Sequence, residues 1–258
     1  MIKALFFDID NTLYDWESRR YIVSGIEAIK QAKKQGVKVF VCTARPYASL
    51  KDFGVFDLGV KWNGIISNCG AIVTCGNRTL RKMTMSADKI RKLCKIALKN
   101  QLTMELVTPR TRFLIAPGNT YLENYHGTYS DAVPPVHPYR GDEVTGVLLF
   151  APEEYDPLFK NECPELNYYR FHECGVDISE GEHRKGDGIS IILNHLGFRK
   201  DEVIGFGDDY QDITMNESSI FVCVGNGKDA VKEAADYVCP RIADDGILEA
   251  LRHFGVLK

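Results

Sequence analysis

Two short apolar runs decide what this chain can fold into. Residues 4–7 read Ala-Leu-Phe-Phe and residues 37–42 read Val-Lys-Val-Phe-Val-Cys. Between them Ile22, Ile26, Ile29 and Ala32 recur at helical spacing, and Gly36 is placed to end that helix. Strand, helix and strand within roughly forty residues make a βαβ unit, with parallel strands and a right-handed crossover. Parallel strands are buried on both faces and need helices on each side. The expected class is therefore α/β, with a doubly wound, Rossmann-like parallel-sheet core. Such sheets bind ligands in the crevice beyond the carboxyl ends of their strands.

The polar residues with chemical potential fall at those ends. The first run breaks into Asp8-Ile9-Asp10-Asn11-Thr12. Alternation points Asp8 and Asp10 the same way. Two acids placed there without a cation repel each other and cost desolvation energy. The second run ends in Thr43-Ala44-Arg45-Pro46, so Thr43 lands on the same sheet edge as Asp8. Its hydroxyl could donate to a ligand oxygen beside Asp8, and Arg45 offers a forked guanidinium. Another buried run, 203–206, leads into Gly207-Asp208-Asp209-Tyr210-Gln211-Asp212. Three acids this close are an unusual load for a buried loop without a cation. Mg²⁺ suits such a set, because it takes all-oxygen ligands and retains waters. Lys185 stands at the start of a helix over 186–196, where backbone amides already favour anions. A strand over 220–224 precedes Gly225-Asn226-Gly227 and a helix over 228–234. A short strand at 237–238 and an amphipathic helix over 245–254 complete the core.

The pattern changes in the middle of the chain. Ser86 can cap a helix that carries Ile90, Leu93, Cys94 and Ala97 on one face. Strand-like runs follow at 102–107, 112–116, 144–150, 167–171 and 176–178. Alternation, as in 168–171, predicts a sheet with one face under helices and one facing outward. Residues 83–184 are thus expected to form an inserted α+β domain in a core made of 1–82 and 185–258. Its two connections would act as linkers that permit hinge motion.

Composition narrows the partners. A net charge of −3 over 258 residues gives no reason to expect nucleic acid or an anionic membrane. No apolar run approaches the ~20 residues that span a bilayer. The N-terminus enters a strand directly, without a signal-peptide pattern. Eight scattered cysteines with no Cys-x-x-Cys pair read as reduced thiols. Together these features predict a cytoplasmic protein; a monomer or weak homo-oligomer is the expected state.

Asp8-Ile9-Asp10-Asn11-Thr12 resembles the Asp-x-Asp-x-Thr signature of phosphotransferases in the haloacid dehalogenase superfamily. The 207–212 stretch resembles the family's Gly-Asp-x-x-x-Asp motif, and Thr43 and Lys185 match its second and third motifs. The insert between Thr43 and Lys185 looks like the larger cap of the Cof-type subgroup (type IIB cap). The resemblance implies that Asp8 attacks phosphorus to form an aspartyl-phosphate and that Asp10 serves as general acid and base. It implies Mg²⁺ beside Asp8, Asp10 and Asp208, with Asp212 reaching it indirectly. Arg45 and Asn226 become substrate-binding candidates. An acid at position 10 favours a phosphatase, since an acyl-phosphate must then be hydrolysed. The implied function is hydrolysis of a small phosphorylated metabolite, in particular a sugar phosphate, with the cap setting specificity. Glu105, Arg112 and Tyr125 are cap candidates for substrate contact. A phosphomutase, a nucleotide or cofactor phosphatase, and a weakly active phosphometabolite-binding regulator are the alternatives. Two positions depart from the family pattern: Cys69 and Gln211 stand where Asn is usual.

Overall fold

Phe6 and Phe7 are neighbours in the first strand, yet each stacks on a phenylalanine from a different strand. Phe6 meets Phe40 and Phe7 meets Phe206, both at 4.8 Å between ring centroids. Alternation sends the two side chains to opposite faces, so this strand is buried on both, as a central parallel strand must be. The computed structural model describes residues 1–129 and 132–258.

In chain order the elements begin with β1 (Ala4–Phe7), β2 (Tyr14–Asp15), β3 (Arg20–Tyr21), α1 (Val23–Lys34), β4 (Lys38–Cys42) and α2 (Tyr47–Asp52). They continue through β5 (Gly64–Ser67), β6 (Ile72–Cys75), β7 (Arg78–Lys82), α3 (Ala87–Lys99), β8 (Thr103–Val107) and β9 (Arg112–Leu114). Next come α4 (Thr120–Tyr129), β10 (Gly146–Phe150), α5 (Asp156–Lys160), β11 (Asn167–His172), β12 (Gly175–Ser179) and α6 (Lys185–Leu196). The chain closes with β13 (Val203–Gly207), β14 (Ile220–Cys223), α7 (Asp229–Glu233), β15 (Tyr237–Val238) and α8 (Gly246–His253).

Contacts divide the chain into two units. The first is Met1–Arg45, Phe56–Arg81 and His183–Lys258; the second is Pro46–Val55 and Lys82–Glu182. Pro46–Val55 thus joins the second unit although chain order places it in the core. One reason is Asp52, which pairs with Arg112 at 3.2 Å.

The first unit holds an eight-stranded sheet in the order β15-β14-β13-β1-β4-β5-β6-β7. Strands β15 through β5 run parallel, and β6 turns antiparallel to β5. Ile189, Ile192 and Leu193 of α6 pack with Phe6, Phe40 and Ile66 on one face. Phe7, Val39 and Val41 turn to the other, and there α1 packs against α8 so closely that a Cβ added at Gly25 would lie 3.5 Å from Ile247. This is the doubly wound arrangement that the βαβ pattern predicts. In register Phe7 pairs with both Val41 and Phe206. Asp8, Thr43 and Asp208 therefore leave three adjacent strands at the same edge.

The second unit holds an antiparallel sheet in the order β11-β12-β10-β8-β9. Helix α3 buries the predicted Ile90, Leu93, Cys94 and Ala97 against Met104, Leu106, Phe113, Val147, Leu149, Val176 and Ile178. That face is the helix-covered one. The opposite face is less open than alternation alone predicts, because Leu122 and Tyr125 of α4 pack on Leu114 and Phe150. All eight cysteines are free thiols. Among the described residues, no helix is long and apolar enough to cross a membrane.

Candidate active site

Asp8 leaves β1 with its amide bonded to the Phe206 carbonyl at 3.0 Å, which locks it to the neighbouring strand. The Lys185 Nζ, at the first turn of α6, donates to Asp8 Oδ1 at 2.7 Å and to Asp212 Oδ1 at 2.5 Å. All three groups are buried. The other Asp212 oxygen accepts from the amides of Asp208 and Asp209 at 2.9 and 3.0 Å. Asp212 thereby folds the acidic loop onto the strand end. Gly207 is what lets it approach: a Cβ there would lie 2.4 Å from the Asp212 side chain. Gly207→Ala is expected to cost about 1–3 kcal/mol through overpacking. Urea denaturation in metal-free buffer measures it, and an unchanged midpoint would mean that the loop can relax.

Asp8, Asp208 and Asp212 present carboxylate oxygens within 4.8 Å of one another. Thr12 adds a hydroxyl that donates to Asp208 Oδ1 at 3.2 Å. Burial pushes the Asp8 carboxyl up to about 7 even though Lys185 opposes the rise. Burial, with Asp212 and Asp8 close by, holds Asp208 well above the usual carboxylate range. Lys185 goes the other way: burial would lower it, but Asp212 and Asp8 keep it firmly protonated.

Asp10 is bound differently from Asp8. Arg45 forks onto it, with Nε and Nη2 donating to separate oxygens at 2.8 Å each. The Trp16 indole N–H donates to Oδ1 at 2.9 Å. Burial would raise this carboxyl, yet the Arg45 charge and hydrogen bonds hold it below its ordinary value. Trp16, in the loop between β2 and β3, carried no signal in the sequence, because strands of two residues show no periodicity. With all four carboxylates ionised, Asp8, Asp10, Asp208 and Asp212 against Lys185 and Arg45 would leave a surplus of two negative charges, and burial of that surplus is what raises Asp8 and Asp208. An all-oxygen donor set with that surplus fits a hard divalent cation.

The remaining candidates separate. Thr43 is buried beside the others, and its Oγ1 accepts the Arg45 amide at 3.1 Å. Arg45, expected to face substrate, has its guanidinium on Asp10. Asn226 has both ends of its amide on backbone: Nδ2 donates to the Asn11 carbonyl at 2.7 Å and Oδ1 accepts from Ile242 at 3.0 Å. It braces the acid loop to its neighbour. Asp209 pairs with Lys228 at the surface. Cys69 and Gln211, the two departures from the family pattern, touch: the thiol donates to Gln211 Oε1 at 2.8 Å. Asn68 and Cys69 both adopt left-handed backbone, with φ of 49° and 50°. Such residues cost about 1–3 kcal/mol each. Their amides are fastened to the Arg45 and Thr43 carbonyls at 3.1 Å.

Similarity to known proteins bears on this geometry. The profile of the haloacid dehalogenase-like hydrolases matches residues 5–251. YkrA of Bacillus subtilis (strain 168) is 27% identical over 259 residues, covering 99% of each chain. The phosphoglycolate phosphatase of Methanobrevibacter smithii is 24% identical and covers 98% of each. Among solved structures, the subclass IIB sugar phosphatase BT4131 superposes with a TM-score of 0.82 at 29% identity, over 99% of this chain and 100% of that one. A match across nearly the whole chain, on a parallel sheet with buried acids at its carboxyl edge, leaves one assignment: the chain belongs to the haloacid dehalogenase-like hydrolases and is a phosphoric monoester hydrolase among them.

Proposed function

We propose that the protein is a Mg²⁺-dependent phosphatase that hydrolyses a small phosphorylated metabolite, a sugar phosphate in particular, through an aspartyl-phosphate on Asp8. The observation that carries the reading is the Lys185 ammonium bound between Asp8 and Asp212 with Asp208 adjacent. It sets one nucleophile and one fixed cation where a phosphoryl group would dock. In the first step an Asp8 oxygen bonds to phosphorus as the ester P–O bond breaks. The bonding pair stays on the ester oxygen, which takes a proton from Asp10. In the second, Asp10 takes a proton from water, whose oxygen attacks the phosphoryl group and frees Asp8 as phosphate leaves. Asp10 must leave Arg45 to carry that proton, because the guanidinium favours its ionised form. Lys185 and Thr43 would hold the non-bridging oxygens.

Asp8, Asp208 and the Asp10 backbone would hold the Mg²⁺, with Asp212 behind them. Bound there, the ion would keep Asp8 ionised at neutral pH and offset the charge of the phosphate dianion. The sugar-phosphate assignment draws support from the likeness to BT4131, and the second unit is proposed to act as the cap that selects substrate. Phosphate release from a panel of sugar phosphates tests the metal. EDTA should abolish it and added Mg²⁺ restore it, whereas full turnover in metal-free buffer would remove the metal from the proposal.

A further inference from the structure

Two segments brace Lys185 through its neighbours in the chain. The residue before it, Arg184, lies against the turn at 68–70: a Cβ on Gly70 would lie 2.4 Å from the Arg184 carbonyl oxygen. All three residues of that turn adopt left-handed backbone, with φ of 49°, 50° and 98°. At Asn68 and Cys69 such backbone is strained, and strain of this kind persists only where the surroundings over-determine it. Here the Asn68 and Cys69 amides bind the Arg45 and Thr43 carbonyls. The residue after Lys185, Gly186, donates its amide to Thr214 Oγ1 at 3.2 Å, and that hydroxyl donates to the Gln211 carbonyl at 3.1 Å. The acidic loop thus holds the start of α6 from the other side. The Cys69 thiol joins the two supports by donating to Gln211 Oε1 at 2.8 Å. A thiol is a weak donor, so this bond adds little to the stability of the chain. Its place between the two supports of the ammonium that binds Asp8 and Asp212 gives it another use.

We propose that Cys69 and Gln211 form a positioning pair for the phosphoryl transfer. Their hydrogen bond ties the 68–70 turn to the acidic loop, and so fixes the Lys185 ammonium and the Asp212 carboxylate relative to Asp8. Both residues act through Lys185 rather than on the reacting atoms. Lys185 would bind a non-bridging oxygen most tightly as phosphorus becomes five-coordinate. An ammonium displaced by part of an ångström therefore loses more transition-state binding than substrate binding. The chain's two departures from the family pattern meet in this one bond, as a jointly tuned pair requires. The inference rests on the phosphatase reading, and its test separates the two.

The experiment measures kcat and KM on nitrophenyl phosphate with Mg²⁺, and the binding of orthovanadate and of inorganic phosphate. It compares the parent with Cys69→Ala, Cys69→Ser, Gln211→Leu and the double variant Cys69→Ala with Gln211→Leu. Vanadate mimics the five-coordinate phosphoryl group, and phosphate mimics the ground state. All three side chains at position 69 carry a Cβ, so the backbone strain there is common to them. Cys69→Ala and Gln211→Leu should each lower kcat about 10–100-fold, the scale of a small misplacement of a catalytic group, with KM changed far less. Vanadate binding should weaken by the same factor, and phosphate binding should change little. The double variant should lose no more than the worse single variant, because each breaks the same link. Cys69→Ser keeps a donor and should recover most of kcat. The assignment is overturned by a Cys69→Ala variant with the parent's kcat and vanadate affinity, or by a double variant whose loss is the product of the single losses. It is equally overturned if kcat falls in step with melting temperature across the set. A parent that releases no nitrophenol overturns the phosphatase reading itself, and the vanadate affinities then still decide whether the pair positions Lys185.

Discussion

Asp8→Asn will abolish turnover of every phosphate ester, whereas Asp10→Asn will trap the reaction halfway. The first variant keeps the shape of the side chain and removes the carboxylate proposed to attack phosphorus. The expected loss is ~10⁴-fold or more, the scale seen when a covalent nucleophile is deleted. Asp10→Asn keeps that nucleophile and loses the proton carrier. General acid–base assistance is worth about 10²–10⁴-fold, and sugar phosphates should feel all of it because an alkoxide leaves poorly. Nitrophenoxide leaves without protonation, so the first step should survive on nitrophenyl phosphate. The second step would still lack its base. A burst of nitrophenol should therefore accompany a phosphoryl group on Asp8, which rapid-quench mass spectrometry detects. Burst-free loss of equal size in both variants, with divalent-cation binding intact, would remove Asp10 from the acid–base role.

What the sequence made legible follows from which forces act locally. β1 and β4 are apolar on both faces because both are packed against rings and helices, so continuous apolar runs announce them. α3 is amphipathic because only one face meets the second sheet, and its buried residues are the four that the spacing names. α4 was missed because Thr120–Tyr129 mixes aromatics with Gly127 and shows no clear stripe. The transfer of Pro46–Val55 to the second unit was equally hidden. It involves a contact between Asp52 and Arg112, sixty residues apart in sequence, and no local pattern encodes that. The site divides the same way. Acids at strand ends were readable, since burial makes them conspicuous. Their partners were not: Arg45 was expected to face substrate and instead grips Asp10, and Asn226 spends its amide on backbone. Cys69 and Gln211 were visible as two separate departures, whereas the hydrogen bond between them depends on folding.

Lys185→Met should destabilise the metal-free protein more than any other single change at this edge. Lys185 is 3% exposed and, among the described residues, the only ammonium bonded to Asp8 and Asp212. Removing one partner of a buried ion pair costs about 3–5 kcal/mol, because the carboxylates left behind remain desolvated and repel each other. The pH dependence identifies that origin. Asp8 titrates at about 7 in the folded protein against 3.8 as its ordinary value, and losing Lys185 raises it further. Between those values the folded state binds more protons than the unfolded one, so stability recovers as pH falls from 7.5 toward 5. In the parent, Lys185 compensates part of the same charge, so the variant's deficit should shrink on acidification. Mg²⁺ should shrink it at neutral pH as well, since a divalent cation supplies the charge that the methionine lacks. Urea denaturation at pH 7.5 and 5, with and without Mg²⁺, tests both statements. A deficit equal under all four conditions would mean that Lys185 contributes packing rather than charge, and the electrostatic account of this edge would fail.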